Sequence, residues 1–389
     1  MKIKRTKYLF FYHRKFPKLD FNLFLGKDTN PTFEEQVVSI PILYGKEVIL
    51  TKTEFEKVIS IKDNDWEEFN DDNISEIEKF LNLGIIISQN DNYKVFRERE
   101  ETLINDKWHI YSALFNFMTK WRDIDVKMIA ENIKVDSSEE MKIYIENNGR
   151  PPLHYHEHSN LISSIKIDYE DKSQDDFFKL LLNRKTTRNF DKNKKMSFKD
   201  LSTLLKYTYG IHGTRSLYDS DIVSVKKTSP SGGDLHPTEV YLLVMRVEGL
   251  KEGMYHYNTG KDELSLIKEY SFDEAVEKAR LFSAGQEYTS FSSVMFFLTT
   301  RYYRNHWKYR KNSAAYSVTV RDAAHLCQTM YLVCTKLNIG CYTAAINHSN
   351  IEEEIGLNPY VQGVVMMAGC GVIDENPTIL LEPKFDNYN

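Results

Sequence analysis

The sequence lacks most of what would send it to a membrane, a disulfide scaffold or nucleic acid. No apolar run reaches the roughly eighteen residues a spanning helix needs. The start, Met1-Lys2-Ile3-Lys4-Arg5, leads into no signal-peptide core. These absences predict a cytoplasmic protein with no membrane partner. Cysteine is scarce: Cys327, Cys334, Cys341 and Cys370 are all of it in 389 residues. They lack the paired short spacings of a zinc site, so no metal is expected, and they are read as reduced. Cys327 and Cys334, seven apart, fall on one face of a helix as small core fillers. A basic excess is missing too, since 51 Lys and Arg face 56 Asp and Glu for a net charge of −5. That leaves no global field to attract nucleic acid.

What remains is an ordinary globular composition, 41% hydrophobic and 13% aromatic, able to fill a sizeable core. The length favours two folded units. In the first, Ile40 to Leu50 carries β-formers around a Gly turn, and Thr51 with Glu54 forms a capping box opening a helix near Val58. A second helix is expected from Ile74 to Leu83, with Asn73 and Glu76 spaced for capping, Gly84 as its stop and Ile85-Ile86-Ile87 as a following strand. Helix, helix, strand predicts a winged-helix-like module, either a prop for the rest or a peptide-binding unit.

The polar stretch from Glu131 to Ser159, with Asn147-Asn148-Gly149-Arg150-Pro151-Pro152, reads as a linker. It sets a boundary near Asp168 and divides the chain into residues 1–165 and 166–389. Within it, His154-Tyr155-His156-Glu157-His158 alternates histidines as a one-sided metal grip would, but no distant ligand cluster accompanies it, so these are read as loop histidines.

Beyond the boundary, helices are expected from Asp175 to Leu182, Ser197 to Tyr209, Ser313 to Leu337 and Ile351 to Ile355, and strands at Val240–Val247, Val294–Thr300 and Val361–Ala368, with an irregular stretch after Gly340. Strict βαβ alternation is absent, so the fold class is α+β.

Three segments carry chemistry. Arg184-Lys185-Thr186-Thr187-Arg188 sets three cations and two hydroxyls in five residues, a donor set matched to phosphate oxygens, or else a solvated helix end. Pro230-Ser231-Gly232-Gly233, just before a strand, lets a planar ligand approach the backbone. Gly340-Cys341-Tyr342-Thr343-Ala344-Ala345 repeats that lack of bulk after the long helix.

In this order and spacing, the three segments resemble the nitroreductase-like flavoprotein superfamily, and within it the SagB-type dehydrogenases that oxidise azolines in peptide natural products. The resemblance covers about residues 170 to 372. Gly253-Met254-Tyr255-His256-Tyr257, Trp307-Lys308-Tyr309 and Arg321-Asp322-Ala323-Ala324-His325 also match that branch. It implies FMN as cofactor, with Arg184, Lys185, Thr186 and Arg188 at the phosphate and nearby ring atoms. Pro230, Ser231, Gly232 and Gly233 would lie against the isoalloxazine, with Tyr342, Thr343, Ala344 and Ala345 on its other edge. The basic phosphate ligands that the superfamily often carries after its last strand are absent from Gly369 to Glu375.

Lys308 and Tyr309 match the Lys-Tyr pair of azoline oxidation, which needs a base opposite the hydride acceptor. As a base, the lysine would need desolvation or a cationic neighbour such as Arg310 or Lys311. The stretch from Arg301 to Lys311 also reads as a substrate-docking surface. The first half resembles the leading region of peptide-maturation dehydrogenases, whose winged-helix elements grip a leader peptide. The partners implied are a precursor peptide, leader and core, a second copy of the chain, and other peptide-modifying enzymes. Three functions follow: an azoline dehydrogenase, an NADPH- or NADH-driven reductase of dehydroalanine or dehydrobutyrine residues, and a flavin-free peptide scaffold.

Overall fold

The computed structural model describes residues 1–17, 33–126, 138–154, 160, 162–217 and 221–375. The first half is built from β1 (Lys2–Arg5), β2 (Leu9–Pro17), β3 (Phe33–Pro41), β4 (Val48–Leu50), α1 (Lys52–Ser60), β5 (Glu67–Glu68), α2 (Glu78–Asn82), β6 (Ile86–Ser88), α3 (Lys94–Asn105), α4 (Ile110–Met118) and α5 (Ser138–Asn148). Two small antiparallel sheets result, β5-β1-β6 and β2-β3-β4. Thr51 caps α1 through the full capping box with Glu54, a device worth about 1 kcal/mol. Gly45, at φ +80°, turns the chain between β3 and β4.

The helix expected over Ile74–Leu83 divides in two. Asn70 accepts the Asp72 N–H and starts a tight 3-10 turn over Asp71–Glu76, and Asn73 leaves helical geometry at φ −102°, ψ 15°. Only α2 then remains α-helical, ending at Leu83 before Gly84 at φ +60°. The short strand β5 stands between the two helices, so the expected helix-helix-strand order becomes α1, β5, α2, β6. The polar stretch read as a linker contains α5, so part of it is helical. His156 and His158 lie outside the described residues.

The second half contains α6 (Asp176–Asn183), α7 (Phe198–Tyr209), the hairpin β7 (Gly213–Ser216) and β8 (Val223–Lys226), β9 (Thr238–Val244), β10 (Gly253–Asn258), β11 (Glu263–Glu269), α8 (Phe272–Phe282), β12 (Val294–Arg301), α9 (Tyr302–Tyr309), α10 (Ala315–Lys336), β13 (Gly340–Thr343), α11 (His348–Ile355) and β14 (Gln362–Gly371). Asp175 and Ser197 cap α6 and α7. Six strands form one antiparallel sheet in the order β11-β10-β9-β12-β14-β13. The expected α+β class therefore holds. Side chains alternate across the sheet: Leu242, Phe296 and Leu298 pack beneath α7 and α10, while Leu243, Met295 and Phe297 pack against α8 and α11. Burial on both faces explains why Val294 to Leu298 is a continuous apolar run.

The run after Gly340, expected to be irregular, is the edge strand β13. Its register pairs Cys341 with Cys370 and Tyr342 with Gly369, closing an edge that β14 would otherwise leave open. All four cysteines are buried free thiols, and burial pushes Cys327 up to about 12, so they are packing groups. Among the described residues no helix is long and apolar enough to cross a membrane.

The two halves share a core. Trp108, 3% exposed, packs its ring 4.6 Å from that of Tyr302 and 4.7 Å from that of His306, both on α9. Further along, residues 120 to 126 run as a strap stitched onto α11 and its approach. Lys120 pairs with Glu352 at 2.6 Å, both buried. Arg122 grips Glu353 bidentately at 2.8 and 2.7 Å, and Asn347 takes both the N–H and C=O of Ile124.

Candidate functional site

The cationic segment leaves the end of α6 and is pinned by its backbone to β13. The Thr187 N–H donates to the Cys341 carbonyl at 2.9 Å, Phe190 bridges to Ile373, and a Cβ on Gly340 would collide with Thr187 and Phe190. Two of the three chemistry-bearing segments therefore meet in one chain. Thr187 and Phe190 are buried, while Lys185 and Arg188 are exposed and Arg184 and Thr186 half-buried. This alternation holds the segment fixed and leaves its donors facing outward. Arg184 lies over the Tyr331 ring at 5.5 Å, Thr186 contacts the Tyr331 hydroxyl at 3.3 Å, and Arg188 lies over Tyr288 at 5.6 Å. Asp374 and Glu375 follow where the superfamily often has cations, and the Asp374 N–H bonds to the Asn189 carbonyl at 3.1 Å.

Beside this junction opens a cavity of about 650 Å³ lined by Tyr331, Thr343, Ala344, Ala345, Trp121 and His348 among others. Its size and aromatic and small-residue walls suit a flat cofactor. Trp121 and Thr119 arrive on the strap, a contribution from the first half that no local sequence signal announced. Burial, then the Lys120 charge, pushes His348 down to about 4, and its ring accepts the Trp121 N–H at 3.3 Å. Tyr342 is fully buried, packed near Phe190 and Tyr288, so only its backbone is available to a ligand.

The Ser-Gly-Gly segment lies elsewhere on the same helix. Asp322 of α10 clamps it, accepting from Ser231 Oγ at 2.6 Å and from the Gly232 N–H at 2.9 Å, while Ser229 bonds to Thr329 at 2.6 Å. Lys308 Nζ donates to the Gly233 carbonyl at 3.3 Å. A Cβ on Gly233, which sits at φ +65°, would meet Lys308 Cδ at 2.8 Å and Tyr309 Oη at 2.9 Å. The Lys-Tyr pair and the glycine loop are thus one cluster, with Lys308 exposed.

Asp322 and Tyr331 stand nine residues apart on α10, which at about 3.6 residues per turn is roughly two and a half turns, or ~13.5 Å along the axis. The glycine-loop cluster and the cationic-loop cluster therefore flank opposite sides of α10. One chain brings together Arg184–Arg188 with Tyr342–Ala345, and Pro230–Gly233 with Lys308–Tyr309, but does not join the two pairs. Among the described residues no group of three or more His, Cys, Asp or Glu is placed to hold a metal.

Residues 181–372 match the Nitroreductase family. The chain is 24% identical over 176 residues to MJ1384 of Methanocaldococcus jannaschii, named as a nitroreductase, across 45% of this chain and 81% of that one. It is 26% identical over 173 residues to the trifolitoxin-processing protein TfxB of Rhizobium leguminosarum bv. trifolii. That match covers 44% of this chain and 46% of TfxB, so the chain spans under half of that relative. A chain of the E. coli microcin synthetase McbBCD complex, solved with truncated pro-MccB17 bound, superposes at 16% identity with a TM-score of 0.49, covering 70% of this chain and 98% of that one.

Proposed function

We propose that this oxidoreductase binds FMN and modifies a ribosomally made peptide, with azoline-to-azole dehydrogenation as its reaction. The observation that carries the reading is the docking of the cationic Arg184–Arg188 segment onto β13, beside a cavity of about 650 Å³ whose wall includes Tyr331, the ring under Arg184. In it, Arg184 and Arg188 present fork-shaped donors to a phosphate, Thr186 fills a remaining acceptor, and Ala344 and Ala345 leave room for a planar ring. FMN, when bound, supplies a two-electron acceptor or donor. Asp322 holds the glycine loop in place, and Lys308 with Tyr309 moves a proton at the substrate. The likeness to TfxB, a trifolitoxin-processing protein by name, supports a peptide substrate.

The opposite placement of the two clusters on α10 supports a homodimer in which one chain's glycine loop completes its partner's cationic pocket. Helix α6 supports it too, since Phe177, Phe178 and Leu182 are 58%, 42% and 70% exposed immediately before the cationic segment. The first half, with its α1, β5, α2, β6 order, is proposed to receive the leader peptide.

Lys308 is exposed beside the glycine loop, where its side chain can serve as a proton donor to substrate. This favours a second reading, an NAD(P)H-driven reductase of dehydroalanine or dehydrobutyrine residues. The purified protein is expected to be yellow and to bind FMN. A colourless protein that refuses FMN yet binds peptide overturns the redox assignment in favour of a scaffold. Mass spectrometry then gives direction: a loss of about two mass units from an azoline-bearing peptide sinks the reductase, and a gain of about two on a dehydroalanine-bearing peptide with NADPH sinks the dehydrogenase.

A further inference from the structure

The glycine loop also faces the hairpin β7–β8. There it closes a cavity of about 430 Å³ against the hairpin β7–β8, lined by Thr214, Arg215, Lys226, Lys227, Ser231 and His236 among others. Arg215, Lys226 and Lys227 face a single carboxylate, Asp234. That carboxylate is already committed, since it accepts from Ser224, pairs with Arg215 at 3.4 Å and pairs with His236 at 3.3 Å. Asp234 and His236 hold left-handed backbone at φ 62° and 45°, a costly arrangement for residues other than glycine.

Lys227 stands out. It is half-buried, lines both this cavity and the small void between the loop and α10, and makes no hydrogen bond or ion pair with any described residue. Burial, reinforced by Arg304 and Arg301 and opposed by Glu239, pushes its ammonium down to about 8. An ammonium withdrawn from water without a partner is costly, and an anion entering the cavity would relieve that cost.

We propose that this cavity is a subsite for one anionic group, a carboxylate or a phosphate, with Lys227 as its charge partner and Arg215 and Lys226 at its rim. On the proposed function, the anion belongs to a peptide substrate or to the phosphates of a nicotinamide nucleotide. The subsite itself is a property of the chain without flavin.

The test is calorimetric titration of the full-length protein, free of added FMN, with inorganic phosphate and with an N-acetylated dipeptide bearing a free carboxylate, its carboxamide serving as control. One or both anions are expected to bind and the carboxamide not to. Lys227→Gln is expected to weaken binding on the order of tenfold or more, and Lys227→Arg to restore most of it. Tighter binding of the dipeptide assigns the site to peptide, and tighter binding of phosphate to nucleotide.

Affinity is also expected to fall between pH 7 and 9 in the native protein but not in Lys227→Gln. The other groups facing Lys227 are Glu239 on β9, Arg301 at the end of β12, Arg304 on α9, Arg215 and Lys226 on the hairpin, Asp234 and His236 in the loop, and Asp322 on α10. Of these, His236 is held below its ordinary value by burial and then by Lys227. Absence of binding by either anion at millimolar concentration, or undiminished binding by a folded Lys227→Gln protein, overturns the proposal. Neither result bears on whether FMN binds, so the two readings fail separately.

Discussion

The two halves of the chain are held together by different means. The second has one six-stranded sheet buried on both faces, and its chemistry-bearing residues stand on loops around that rigid centre. The first has two three-stranded sheets and short helices, yet its most committed contacts reach across to the other half. Those contacts land on the elements that carry the candidate site: Trp108 on α9, which bears Lys308 and Tyr309, and the strap on α11, which follows β13. The difference teaches that a region with little chemistry of its own can still fix the geometry of a site.

That comparison breaks hardest at the buried pair between Lys120 and Glu352. Burial pushes Glu352 up and Lys120 down; their mutual attraction opposes both shifts, and the Val364 N–H and the Arg122 charge further oppose that of Glu352. Glu352→Ala leaves the lysine buried and unpaired, and should cost about 3–5 kcal/mol in denaturant unfolding. It should also expose residues 119 to 126 to proteolysis before the sheet. Simultaneous loss of both halves' protection would show that they do not differ in this way.

Acid should loosen the same seam, each of two histidines contributing somewhat less than that pair. Burial pushes His306 down to about 4, and burial with the Lys120 charge does the same to His348. Both values lie below the ordinary 6.5, so the unfolded chain binds more protons between those limits. Their contribution is complete above pH 6.5 and is lost as pH falls through 4, roughly 2–3 kcal/mol for each. Melting curves from pH 7 to 4 test this, with His348→Gln expected to flatten the dependence.

The smallest effect sharpens the functional side of the comparison. Arg188→Ala should weaken FMN binding by about 1.5–3 kcal/mol, whereas Lys308→Ala should keep the flavin and lose turnover. Flavin absorbance after gel filtration and single-turnover mass spectrometry separate the two. Equal flavin retention with full activity in both variants would remove both residues from the site.

Much of this was legible in local sequence. The capping box at Thr51, the helices opening at Asp175 and Ser197, the long helix with its buried cysteines and the apolar strand at Val294 all declare themselves within a few residues. The strap did not, because Arg122 finds Glu353 and Lys120 finds Glu352 more than two hundred residues away. Such pairing leaves no period to read. Strand β13 was missed because its four residues, opened by a glycine, are too short a run to show a period, and β14 supplies the pairing. Lys227 looked like an ordinary lysine until the hairpin and glycine loop closed around it.

The half-turn between Asp322 and Tyr331 has a genetic consequence. In an assembly of two chains, lesions on opposite flanks of α10 fall in different halves of each shared site. In the proposed homodimer, coexpressed Asp322→Ala and Arg188→Ala chains, at flavin concentrations where each alone fails to turn over, should complement one another: a hybrid pair carries both lesions in one site and neither in the other. Random pairing then restores about a quarter of normal activity, whereas a site contained within one chain restores none.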